Sequence, residues 1–360
     1  MTELSAESPP GPAAGSAEGA ASIQRISRRI VLAILLGVVV YGAIVLYRGA
    51  NQIAARLAAY AWWTFAAACG LAFTNYVLRF LKWEYYLGIL KVKGIPKGES
   101  FLTFLSGFVL TVTPGKVGEV FKSLILFQTR GVPIERTAPI VVAERVTDLI
   151  GVIAIIAVGS LRLPGGLVWA SIGAFVVVLL LATVASRRLS ELLLRPLPGL
   201  PGALGRAGRK LVPKLLQALD SLRDLTTPRR LLWPTALSVV AWSLEGLGLY
   251  TILHGFGEKP PLPLTAFFYA TATLAGALIP VPGGLGVTDE LLEQQLARLG
   301  GVEAATATAS MLLVRFATLW FAVAVGFAAL GILRARHPAL ASSKPRGAAE
   351  GGLGPIDPGR

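Results

Sequence analysis

Two copies of a helix-breaking motif constrain this chain more than any other feature. Pro114-Gly115-Lys116-Val117-Gly118-Glu119 returns 168 residues later as Pro282-Gly283-Gly284-Leu285-Gly286-Val287. Each copy closes an apolar stretch and precedes a helical pattern containing an arginine, Arg145 in the first half and Arg315 in the second. Proline lacks a backbone donor and clashes with the preceding turn, and glycine tolerates positive φ, so PGxxG interrupts a helix wherever it falls. In hydrocarbon such an interruption survives only where protein or a water-filled cavity satisfies the freed backbone groups. Corresponding breaks in two halves point to a binding site of the transporter kind.

Composition makes hydrocarbon the expected surrounding. The chain is 54% hydrophobic and 15% charged, and charge-free runs cover Ile30 to Tyr47, Leu57 to Leu78, Leu163 to Ser186 and Pro260 to Thr288. Each is near or beyond the roughly 18 to 20 residues that cross a bilayer. Two more runs carry one charge each, 231–257 with Glu245 and 304–333 with Arg315. The fold class is therefore an all-α integral membrane protein. The net charge of +14 does not imply nucleic acid, because the basic residues stand in blocks between apolar runs. The single Cys69 excludes an internal disulfide and a cysteine zinc cluster, and reads as a small packed hydrophobe. His254 and His337 lie far apart, so no metal ligand set or Ser/His/Asp constellation is visible and no cofactor is expected.

Residues 1–24 are rich in Ala, Gly, Pro, Ser and Glu, a composition that predicts a disordered cytoplasmic N-terminus. A membrane domain follows over 25–335, and a short polar tail, 336–360, with no soluble catalytic domain expected after it. Arg25, Arg28 and Arg29 precede the first run without a convincing cleavage site, so that run reads as a retained span. The connections rich in Lys and Arg are three before the first span, four in Lys82 to Lys97, and ten in 186–230 against three acids. These belong in the cytoplasm, which puts both termini there, in the cytoplasmic membrane. Six spans are expected near 30–47, 58–81, 137–160, 166–185, 231–254 and 304–333. The segments 101–130 and 264–299 each hold an apolar arm, a break and a more polar arm, and read as re-entrant hairpins; the second is also long enough to cross fully. Two repeats, about 58–160 and 231–333, would then have inverted topology, their breaks meeting near the midplane. Between them Leu211, Leu215, Leu219 and Leu222 fall at helical spacing among basic residues, which fits either an interfacial helix or an ordinary connector.

Ionisable residues within spans are expensive and default to functional candidates. Glu144, Arg145 and Asp148 share one helix, and Lys116, Glu119 and Lys122 repeat every three residues just after the first break, on one face of the second arm. The functional reading gives an anionic headgroup to Lys116, Lys122, Arg145 and Arg315, with Glu119, Glu144, Asp148 and Asp289 pairing with them or taking a cationic part or a proton. The structural alternative is that these charges neutralise one another to hold the hairpins, with Lys122 and Glu290 snorkelling. Glu245, mid-span with no local partner, should face the interior and is a possible relay. The break residues Pro114, Gly115, Gly118, Pro282, Gly283, Gly284 and Gly286 allow both close packing of the arms and helix N-termini that attract anions.

The stretches PGKVGEVFKS, AERVTDL and PVPGGLGVTDE, with Arg315 downstream, resemble the flippase-like membrane domain of the lysylphosphatidylglycerol synthase family, which includes YbhN-like proteins and archaeal relatives. The resemblance covers nearly all of 25–335. It implies a membrane domain that handles lipids and, in two-domain members, moves aminoacylated phosphatidylglycerol between leaflets. Those members carry a soluble synthase domain, which is not expected of this chain, and neither is lipid synthesis. Where the family pattern has Arg two places after the first Gly this chain has Lys116 next to that Gly and Lys122 later, and where it has Glu in the second motif this chain has Asp289 followed by Glu290; both changes keep charge and alter reach. Three functions stay in play. The first is a flippase-like transporter of a phospholipid or lipid-linked headgroup. The second is an intramembrane transferase acting on a lipid-linked sugar or phosphate with Glu119 or Asp289 as base, and the third a non-catalytic partner of a separately encoded synthase or glycosyltransferase.

Overall fold

The computed structural model describes residues 35–113, 119–164, 166–199, 227–279 and 281–337, with isolated positions between 201 and 225 and Leu340. The first break from Pro114 through Gly118, including Gly115 and Lys116, lies outside the described residues, as do residues 1–24, the leucines 211, 215, 219 and 222, and the tail from 341. All regular structure among the described residues is helical.

Chain order gives α1 (Leu35–Arg48), α2 (Ala50–Ala58), α3 (Trp62–Ile89), α4 (Lys97–Ser106), α5 (Phe121–Arg130), α6 (Ile134–Ser160), α7 (Gly166–Ala185) and α8 (Arg187–Leu194). Then come α9 (Pro228–Gly255), α10 (Leu262–Leu278), α11 (Val287–Arg298), α12 (Ala304–Arg315) and α13 (Phe321–Arg336). A 3-10 turn, Gly107–Leu110, prolongs α4, and one π-helical turn, Phe316–Trp320, joins α12 to α13. Helices occupy all six intervals expected of spans. Three, α3, α9 and the continuous α12–α13, are long and apolar enough to cross a membrane, and the pair α1–α2, bent by 97° at Gly49, makes a fourth if it counts as one span. The described structure is thus a helical membrane protein with three to four apolar spans by length and composition.

One boundary corrects the sequence reading. The expected second span stopped at 81, yet α3 runs to Ile89, and Lys82, assigned above to a cytoplasmic connection, is fully buried inside it. A buried ammonium persists only with partners, which a window that counts charges cannot see.

Two helical hairpins carry the breaks. In the first, α4 and α5 pack side by side, and Arg130 at the end of α5 bonds Glu99 at the start of α4 through Nε–Oε1 at 2.9 Å. The two ends therefore return to one place. In the second, Gln295 of α11 donates to Thr271 of α10 at 2.9 Å, and a Cβ on Gly276 would meet Thr288 Oγ1. The second arms, 10 and 12 residues long, reach about 15 and 18 Å at 1.5 Å per residue, half the roughly 30 Å hydrocarbon core.

The halves pack reciprocally. The opening helices α3 and α9 lie against each other, α10 of the second hairpin packs on α6, and α4 of the first packs on α13. Glycines permit both crossings. A Cβ on Gly159 of α6 would stand 2.5 Å from Phe267 Cβ and 2.6 Å from the Pro263 carbonyl, and one on Gly326 of α13 would stand 2.7 Å from the Val109 amide nitrogen. Gly326 follows Gly159 by 167 residues, close to the 168 that separate the breaks. Each half also has its own apolar core, one around Trp83, Tyr86, Phe104 and Leu126, the other around Leu249, Phe268, Leu292 and Met311.

Candidate functional site

The second break is fully described, and its sequence explains its shape. Gly283, Gly284 and Gly286 have φ of 60°, 68° and 81°, values that residues with a Cβ rarely adopt. Pro282 opens the short turn, and α11 starts at once. The Gly286 N–H donates to the Asp289 carboxylate at 2.8 Å, so the helix N-terminus carries its own anion. Asp289 also pairs with Arg315 Nε at 2.8 Å, and Arg315 Nη2 donates to the Gly283 carbonyl, tying α12 to the break. Asp289 is fully buried and Arg315 nearly so.

The first half carries a denser cluster. Lys82 Nζ lies 2.6 Å from both Asp148 Oδ1 and Ser238 Oγ, and Ser238 Oγ donates to Asp148 at 3.0 Å. Arg145 reaches Glu119 at 2.9 Å and Asp148 at 3.2 Å, while Arg79 reaches the same two carboxylates at 3.4 and 3.8 Å. Lys122 is paired with Glu144 at 2.5 Å and stands over the rings of Trp83 and Phe104 at 4.7 and 5.1 Å. It is buried to 2% exposure, so snorkelling is excluded for it. Glu290 is half-exposed and meets Arg48 at 3.3 Å. The Arg79, Lys82 and Arg145 cations outnumber the Glu119 and Asp148 carboxylates by one, and the Lys122–Glu144 pair is neutral by itself.

Between the halves lies a cavity of about 340 Å³. Arg79, Arg145 and Asp148 line it from the first half, Glu245, Gly283 and Arg315 from the second. The second break reaches the end of the first hairpin's apolar arm: a Cβ on Gly283 would lie 3.8 Å from Val112, the second residue before Pro114. Glu245 accepts from Asn75 Nδ2 at 2.7 Å and from the Tyr269 hydroxyl at 3.0 Å, so it faces the interior as expected and bridges α3, α9 and α10. The Tyr76 hydroxyl donates to the Thr318 carbonyl in the π-helical turn at 3.0 Å. π-turns recur at functional sites, where they free backbone groups. Arg145 keeps 27% of its side chain exposed, and its Nε has no hydrogen-bond acceptor among the described residues, which leaves it donor capacity.

The structure thus joins Glu119, Arg145 and Asp148 in one network, pairs Lys122 with Glu144, puts Asp289 and Arg315 in another network, and sets Arg145, Asp148, Arg315 and Glu245 on one cavity. Lys116 lies outside the described residues. Sequence reasoning missed Asn75, Arg79 and Lys82, which follow i, i+4, i+7 spacing along one stripe of α3. A polar stripe on a helix in hydrocarbon was the available signal. It also missed Ser238 and Tyr269, whose roles arise only from tertiary neighbours. Among the described residues no three His, Cys, Asp or Glu are grouped to hold a metal.

Breaks, buried charge networks and an interior cavity on apolar helices define a polytopic membrane protein with a central polar site. The chain belongs to the lysylphosphatidylglycerol synthase TM region family, whose model matches residues 30–326. It is also similar to a UPF0104 membrane protein of Methanothermobacter thermautotrophicus, at 30% identity over 100 residues, 28% of this chain. That match spans 29% of the relative's length.

Proposed function

We propose that this protein moves a phospholipid or lipid-linked headgroup between leaflets, without chemical change to it, at the cavity between the two halves. In this reading six helices span the cytoplasmic membrane, both termini are cytoplasmic, and the two hairpins are re-entrant arms of an inverted repeat. The observation that carries the proposal is a cavity of about 340 Å³ lined by Arg79 and Arg145 from one half and Arg315 from the other. Three guanidiniums on a cavity in a membrane protein suit a phosphate, which they bind through paired N–H donors. Acyl chains remain in lipid while the headgroup crosses. Glu245 takes a cationic or hydroxyl part of the headgroup, or a proton. The reciprocal packing of α4 on α13 and of α10 on α6 supports rocking of one half against the other. A separately encoded synthase or glycosyltransferase is the partner that would supply or consume the lipid.

The test is exchange of labelled anionic phospholipid between leaflets in proteoliposomes, for the wild type, Arg145→Ala and Arg315→Ala. Exchange above empty liposomes that falls at least tenfold in both variants, with folding retained, supports the proposal. Wild-type exchange no faster than empty liposomes for every lipid tried sinks it.

A further inference from the structure

One wall of the cavity faces outward. α6 and α10 pack closely from Gly159 against Pro263 and Phe267 to Val152 beside Ala270 and Leu274. Past that point Arg145 and Leu149 of α6 and Ala277 and Leu278 of α10 line the same cavity, so the two helices part around it. Leu278 is 77% exposed, and Ala277 and Ile279 beside it are exposed too. On α6, Val142, Arg145 and Leu149 share one face by their i, i+3, i+7 spacing; Val142 is exposed and Arg145 partly so. The gap between the helices therefore leads from the surface, between apolar side chains, to a guanidinium. Depth decides what meets it from outside. The Ala61 N–H donates to the Gly255 carbonyl at 3.1 Å, which sets the end of α9 level with the exposed Trp62 and Trp63, residues typical of a membrane interface. α10 starts after one short turn, and its 17 residues carry Leu278 about 24 Å from Leu262 at 1.5 Å per residue. That lies inside a hydrocarbon core of roughly 30 Å, so the exposed tip faces lipid.

We propose that this gap is a lateral portal through which a membrane lipid reaches the cavity, its phosphate on Arg145 and its acyl chains against Leu149, Ala277 and Leu278. This rests on the transport reading above and names the way into its site. It commits the ligand to a lipid, because an apolar opening at that depth offers a soluble anion nothing. Arg145 Nε, without an acceptor among the described residues, keeps donor capacity for the phosphate. The portal also gives a reason for the unequal arms of the second hairpin, 17 residues against 12: the longer arm carries the lip of the opening past the midplane.

The test uses the full chain in dodecyl maltoside micelles, a phosphatidylglycerol with a diazirine in one acyl chain, and peptide mapping of the photolabelled sites. Labelling at 142–149 and 277–279 should fall about tenfold with a roughly tenfold excess of unlabelled phosphatidylglycerol, as mass action at a saturable site requires. With the same excess of diacylglycerol, which has the chains without the phosphate, it should fall no more than at Phe175. That residue is exposed on α7 and does not line the cavity, so it reports unspecific lipid contact. Portal labelling that tracks Phe175 in every mixture overturns the proposal, as does diacylglycerol competing as well as phosphatidylglycerol. Suppression by inorganic phosphate but not by phosphatidylglycerol assigns Arg145 to a soluble anion and overturns the lipid as occupant. In proteoliposomes Ala277→Trp, which fills the gap from an exposed position, should slow phosphatidylglycerol exchange by about tenfold, a factor within the range that overpacking gives, while Phe175→Trp leaves it unchanged. An Ala277→Trp chain that exchanges lipid at the wild-type rate overturns the portal and leaves the transport reading standing. Competed labelling in a wild type that exchanges no lipid keeps the portal and removes the transport reading.

Discussion

Removing Asp148 should destabilise the protein more than removing the buried lysine beside it. Among the described residues the cations within 4 Å of Asp148 are Lys82, Arg145 and Arg79, at 2.6, 3.2 and 3.8 Å, and the second carboxylate that both arginines reach is Glu119. Three positive groups thus face two negative ones. Lys82→Met leaves two against two, a balanced set in which Asp148 keeps both arginines. Asp148→Asn leaves three against one, with Lys82, at 0% exposure, retaining only the Ser238 hydroxyl and an amide. Breaking a buried pair by removing one partner costs about 3–5 kcal/mol. Asp148→Asn should therefore fall in or above that range, Lys82→Met at about 1–3 kcal/mol, the two arginines compensating. The double variant should recover to near the Lys82→Met value, because no buried ammonium is left uncompensated. Reversible unfolding in mixed micelles measures all three. A Lys82→Met loss equal to or larger than that of Asp148→Asn would refute the charge count, and a double variant equal to the sum of the singles would refute the coupling.

Other expectations come from separate places in the fold. Gly159→Ala and Gly326→Ala push a Cβ to 2.6 and 2.7 Å from backbone atoms of the opposite half's hairpin and should each cost about 1–3 kcal/mol. Gly248→Ala, with nothing within 4 Å, should gain up to about 1 kcal/mol of helix propensity; melting curves in which Gly326→Ala matches Gly248→Ala would contradict the close crossing. At the base of the first hairpin, outside the spans, the hydrogen bonds from Arg130 hold the Glu99 carboxyl below its usual range, with His337 adding to the effect. A depressed carboxylate stabilises the fold above its ordinary pKa and loses that contribution as pH falls through the folded value. The melting difference between wild type and Glu99→Gln should accordingly be present at neutral pH and close on acidification; a difference that widens in acid would reverse the sign. Lys122→Met strands Glu144, which is equally buried, and should lose about 3–5 kcal/mol. A near-neutral result in micelle unfolding would contradict the stabilising role of the Lys122–Glu144 pair.

Local chemistry along the chain is enough to give the apolar helices, the two breaks and the charges that need partners. An uncharged run of about 20 residues has few fates other than a helix in lipid, PGxxG cannot continue a helix, and three glycines at positive φ in the second break are what its composition allows. The inward-facing Glu245 and the ion cluster on α6 were legible for the same reason. Partner identity was not. Lys82 looked like a loop charge because a helix end cannot be read from hydropathy when the ending residues are polar but buried, and Arg79 was passed over although it holds Glu119 and Asp148. Tertiary packing alone set α3 against α9, let Ser238 and Tyr269 complete networks begun 90 and 24 residues away, and brought Val112 beside Gly283. Those outcomes depend on side chains brought together from helices distant in sequence. A charge in low dielectric takes whichever partner packing supplies, and spacing along one helix carries no record of it.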